Sequence, residues 1–125
     1  MREILFRGKF GDEWKYGYLT IEPQGLAIKE PYECGTSHIW CINPETVGQY
    51  TGLNDKNGTK IFEGDILKFI DGDNEVSYYE VVYSEANCRW IIRQHEGATD
   101  DLDDFVGKYM TVVGNIYDNP KLLEV

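Results

Sequence analysis

Cys34, His38 and Cys41 form a C-x3-H-x2-C segment that places two thiols and an imidazole close together, with Cys88 or His95 available to complete four-coordinate zinc. The spacing argues against it. Structural zinc sites use two tight ligand pairs, whereas Cys88 and His95 stand on either side of an expected strand. Buried cysteines behaving as small apolar side chains, with a surface histidine, account for the same residues, so no metal and no cofactor is expected. Asp71, Asp73 and Glu75 alternate, and residues 100–104 are rich in Asp, yet neither stretch has the Gly and Glu positions of an EF-hand loop. Ser37, Ser77 and Ser84 lie outside any G-x-S-x-G elbow, and Gly48-Gln49-Tyr50-Thr51-Gly52 lacks the Lys-Ser/Thr of a phosphate loop. The expectation is a protein that is not an enzyme. A small catalytic or ligand-binding site using His38, His95 and nearby carboxylates is the alternative.

Two stretches are candidate interaction surfaces. Trp14, Tyr16 and Tyr18 recur at strand spacing near Arg2, Arg7, Lys9 and Lys15, the raw material of a base-stacking platform, although such stripes more often belong to a core or a protein interface. Residues 94–104 carry Glu96, Asp100, Asp101, Asp103 and Asp104 with no Lys or Arg, which favours an exposed loop because like charges repel. With 12 basic and 22 acidic residues the formal charge is −10, which argues against nucleic acid as a partner of the whole molecule. The charge is uneven: residues 1–62 sum to −1 and residues 63–125 to −9.

These side chains must be carried by a chain of 125 residues, enough for one ordinary core or two small lobes. Nine Tyr, five Phe and three Trp, with 13 Gly between short apolar runs, favour strands and turns. Residues 2–10 and 14–18 read as a hairpin, residues 29–37 as loop, and residues 38–42 as a strand ended by Asn43-Pro44. Asn57-Gly58 is the strongest turn signal. Residues 66–70, 76–83 and 89–93 form a meander, and residues 105–109 fit helix or strand equally. The expected fold is mainly β with little helix. It comprises a hairpin-rich N-terminal lobe over residues 1–60 and a small SH3-like barrel over residues 61–125, or one continuous compact domain. No apolar run approaches the roughly 20 residues that span a bilayer, and residues 1–3 lead straight into a strand, so a soluble cytoplasmic protein with reduced cysteines is expected.

One stretch is long and unusual: Gly48-Gln49-Tyr50-Thr51-Gly52-Leu53, then Asp55-Lys56-Asn57-Gly58, then Glu63-Gly64-Asp65. With the opening residues 1–7 and the closing Val113-Gly114-Asn115-Ile116-Tyr117-Asp118-Asn119-Pro120, it resembles the YopX family of phage and prophage proteins over the whole chain. The resemblance implies a cytosolic bacterial or phage protein, mainly β, with self-association among its implied properties, and it brings no catalytic residue. Physically, Asn57-Gly58 can close a turn and Gly64-Asp65 can redirect the chain before an apolar strand, so the motif reads first as a fold-defining corner.

The expected function is contact with protein, either a second copy or a host or phage factor. An acidic surface that imitates nucleic-acid charge and occupies a basic host protein is the sharper variant.

Overall fold

The computed structural model describes residues 3–31 and 37–124. The chain divides into two compact units, Met1–Tyr50 and Thr51–Val125.

In the first unit the expected hairpin forms from β1 (Phe6–Phe10) and β2 (Glu13–Glu22), with Gly11 at φ +62 in the turn between Phe10 and its partner Glu13. Gly25, at φ +129, opens β3 (Gly25–Pro31), which pairs along β2. Residues 29–31, expected as loop, are therefore strand, because Lys29 pairs with both Tyr18 and Ile39. β4 (Ser37–Cys41) and β5 (Asn43–Asn54) are separated by Ile42 alone. Asn43-Pro44 does not end the extended run. A shift in register between Arg7 and Lys9 makes room for it, so the proline, which has no N–H to donate, sits at an irregularity in the ladder. Thr46 takes over the local bonding: its hydroxyl accepts the Lys9 N–H at 2.9 Å and donates to the Asn43 carbonyl at 2.6 Å.

These strands run in the order β4-β3-β2-β1-β5, and β4 and β5, consecutive in the chain, pair with β3 and β1 respectively. Ala27 and Ile28 are fully buried. A Cβ added at Gly17 would press on the Lys29 carbonyl, so glycine is what lets β2 and β3 lie this close.

In the second unit, β6 (Lys60–Phe62) pairs with β5, and a separate antiparallel sheet forms from β7 (Asp65–Ile70), β8 (Val76–Ser84), β9 (Arg89–Arg93), β10 (Thr99–Asp101) and β11 (Met110–Asn115). The predicted meander is present as β7-β8-β9. Its first turn is held by Asp71 Oδ1, which accepts from the N–H groups of Asp73 and Glu75, with Asn74 at φ +63. Residues 105–109 are helical, within α1 (Asp104–Tyr109). Asp103 caps that helix by accepting the Phe105 N–H at 3.0 Å, and Val106 reaches a core of Ile61, Leu67, Val81, Ile92 and Met110.

The SH3-like closure expected over residues 61–125 is not formed. The sheet is open, in the order β10-β9-β8-β7-β11. The reason lies in its connections: β10 is a three-residue acidic strand, and α1 then carries the chain over the core face to the opposite edge. A helix covers that face in place of further strands. A closing 3-10 turn spans Pro120–Glu124. Among the described residues, no helix is long and apolar enough to cross a membrane.

Candidate interaction surface

The long motif has its own structural work. Gly48 and Gln49 sit in β5 opposite Arg7 and Phe6, and Tyr50 is buried with its N–H donated to the Leu5 carbonyl. The Thr51 hydroxyl donates to the Ile61 carbonyl at 2.8 Å. Gly52, Gly58 and Gly64 all have positive φ, at +92, +84 and +89. Asp55 is buried; its Oδ1 accepts from the N–H groups of Asn57 and Thr59, and its Oδ2 accepts from that of Val112 in β11, each at 2.9 Å. Asp65, also buried, accepts the Phe62 N–H at 2.8 Å. The motif's far end meets the chain's closing segment, where the Ile116 N–H donates to the Gly64 carbonyl. Asn115 Oδ1 accepts from the N–H groups of Tyr117 and Asp118. The side-chain oxygens of Thr51, Asp55, Asp65 and Asn115 thus bond to backbone groups, which is structural work.

The acidic stretch is arranged differently from the loop that the charge pattern suggests. Residues 95–101 are exposed, but Thr99, Asp100 and Asp101 form β10 and pair with β9. Arg89 makes this tolerable, its Nε lying 3.1 Å from Asp101 Oδ1. Between β10 and α1 a cavity of about 380 Å³ opens over the sheet, with Asp100, Asp101 and Asp103 on its walls beside Phe69, Tyr79 and Phe105. Phe105 is 46% exposed and stands in a short aromatic row, its ring centroid 5.4 Å from that of Phe69 and 4.8 Å from that of Tyr109. Asp104, in the first turn of α1, and Glu96, in the turn after β9, do not line the cavity.

These aromatics escape a reading of the sequence. Phe105 and Tyr109 have helical i, i+4 spacing, a signal too brief to settle helix against strand, and Phe69 joins them through the pairing of β7 with β11.

The first unit gathers the other aromatic candidates. Trp14, Tyr16 and Tyr18 share one face of β2 with Arg7 and Lys9, which lie opposite Tyr16 and Trp14 on β1. The Arg7 guanidinium carbon is 4.4 Å from the Trp14 ring centroid. Lys15 points the other way, over Trp40 at 3.9 Å and paired with Glu13 at 3.1 Å.

The metal candidates are scattered over what can be described. Cys34 lies outside the described residues, as does Arg2. Cys41 and His38 are both exposed on β4, with the imidazole edge-on to Trp40 at 5.6 Å. Cys88 is a free, exposed thiol in the turn before β9, at φ +53. Among the described residues no three of His, Cys, Asp or Glu are grouped to hold a metal ion. His95 is exposed and lines a hollow of about 330 Å³ with Glu80 and Arg93, which are themselves paired at 3.2 Å. His38 belongs to the first unit and His95 to the second.

The family model described as YopX protein matches residues 11–124. Among solved structures, protein EF1440 from Enterococcus faecalis is similar with a TM-score of 0.55 at 25% identity, over 98% of this chain and 99% of that one. Protein yopX from Bacillus subtilis is similar with a TM-score of 0.60 at 20% identity, over 95% of this chain and 97% of that one. No curated protein sequence matches this chain.

Proposed function

The chain belongs to the YopX protein family, and from that premise we propose a non-enzymatic phage or prophage accessory protein that binds a basic, partly apolar segment of another protein in the bacterial cytoplasm. The observation that supports this reading is the cavity between β10 and α1, where the exposed Phe105, the half-buried Phe69 and Tyr79, and carboxylates line one hollow. Aromatic side chains are enriched in protein interfaces because they bury much area at low entropic cost, and a surrounding set of like charges selects a partner of opposite sign. A surface that merely imitates nucleic-acid charge would need its carboxylates free. Asp101 is instead bound to Arg89 and Asp103 to the Phe105 N–H, so the rings carry more of the binding than the charge does.

A photo-crosslinking amino acid placed at Phe105 in bacterial cells tests the reading, with the same group at exposed Gln24 as control. The expected product is an adduct with a heterologous protein through a segment rich in Lys or Arg, weakened by Asp100→Asn. An adduct formed with a second copy of this chain alone, or none above the Gln24 level, overturns it.

A further inference from the structure

In the first unit, strand register adds Lys29 of β3 to the aromatic row whose spacing along β2 is legible in the sequence. On β2, Trp14, Tyr16 and Tyr18 follow one another on a single face, about 7 Å apart at strand rise. Each is faced by a basic residue across the ladder: the half-buried Lys9 opposite Trp14, the buried Arg7 opposite Tyr16, and Lys29 of β3 opposite Tyr18. Tyr16 is 44% and Tyr18 56% exposed, and Lys29 is exposed as well. Along β2, the carboxylate that shares this face is Glu22, at the far end of the strand. Of the 22 Asp and Glu, 15 belong to residues 51–125, while residues 1–50 hold seven against five Lys and Arg.

We propose that this face binds single-stranded nucleic acid. Bases stack on Tyr16 and Tyr18, and Lys29 contacts the phosphate that joins them. Rings spaced at about twice the 3.4 Å rise of stacked bases require a strand whose bases are splayed apart, which a single strand allows and a duplex does not. Exposed rings with the exposed Lys29 beside them are the complement of such a strand: the backbone carries charge and every base carries a π face. This surface is separate in residues and in chemistry from the acidic cavity of the second unit.

Fluorescence anisotropy of labelled oligothymidine, oligouridine and a DNA duplex, titrated with the full chain at low salt, tests the proposal. Saturable binding of a single strand is expected, with log affinity falling against log salt by about 0.7 per phosphate contacted. The stronger of the two single strands identifies DNA or RNA as the natural ligand. Tyr18→Ala should weaken binding about tenfold, whereas Tyr18→Phe, which keeps the ring, should retain it. Lys29→Glu should also weaken binding and flatten the salt dependence. Absence of saturable binding, equal affinity for the duplex, or undiminished binding by folded Tyr18→Ala overturns the proposal.

Discussion

The carboxylate of Asp55 accepts the backbone N–H of Val112 at 2.9 Å, joining residues 57 positions apart in the chain. Next to it, the Lys56 N–H donates to the Met110 carbonyl at 3.1 Å. Among the described residues β11 has β7 on one side and no strand on the other, and an edge of this kind is a template for unwanted pairing. The turn in the family motif takes up two backbone groups of that strand. Its aspartate is thus a lock between the motif and an otherwise open edge.

Replacing Asp55 should therefore be costly. Asp55→Ala leaves the N–H groups of Asn57, Thr59 and Val112 without their acceptor, and at about 1.5 to 3 kcal/mol for a hydrogen bond to a charged group the expected loss is at least about 3 kcal/mol. Asp55→Asn keeps one acceptor oxygen and should cost less. Urea denaturation midpoints measure both, and Asp55→Ala should also aggregate more readily as β11 loses its cover. A loss below about 1 kcal/mol for Asp55→Ala would show that water replaces the carboxylate and that the lock is unimportant.

Local pattern made the β2 alternation, the Asn57-Gly58 turn and the β7-β8-β9 meander legible in the sequence. What escaped it depends on pairing at long range. Pro44 reads as a stop, and only the register shift opposite Arg7 and Lys9 lets it stay in an extended run. Closure in the second unit depended on where residues 99–109 would go, and a helix of six residues gives too short a period to read. Asp55 could be recognised as a turn residue, but its second oxygen serves a strand that the sequence does not mark as its neighbour. At the acidic stretch the exposure was legible, whereas the aromatic wall beside it was not, because Phe69 and Phe105 meet through the fold.

Glycines in the two units should respond to alanine for different reasons. Gly17→Ala drives a Cβ into the Lys29 carbonyl, a backbone atom that cannot rotate away, so β2 and β3 must separate. Gly52 has nothing within 4 Å of an added Cβ, and its cost is the positive φ alone, about 1 to 2 kcal/mol. Thermal melts should rank Gly17→Ala as the more damaging. The reverse order would mean that the close approach of β2 and β3 is readily relaxed.

The Arg89–Asp101 pair should matter little to stability. Both side chains are more than half exposed, so Arg89→Ala should cost under about 1 kcal/mol, less still in high salt. Equilibrium unfolding of the variant at two salt concentrations measures this. A cost that is larger and insensitive to salt would show that the arginine stem packs on the sheet and that charge is secondary.

Neighbouring residues of α1 separate folding from binding. Val106 is fully buried against Leu67, Val81 and Ile92, so Val106→Ala should destabilise by about 1 to 3 kcal/mol through lost burial and a residual cavity. Phe105, on the same turn, faces the cavity and is 46% exposed; its removal should cost about 1 kcal/mol or less, since its contacts are the rings of Phe69 and Tyr109. If the cavity is a docking surface, Phe105→Ala should abolish partner capture while its melting temperature stays near that of the parent chain. Val106→Ala should show the opposite pattern, with a lowered melting temperature but partner capture retained below it. Equal loss of capture in both variants, in proportion to their loss of stability, would mean that the aromatic row serves the fold alone.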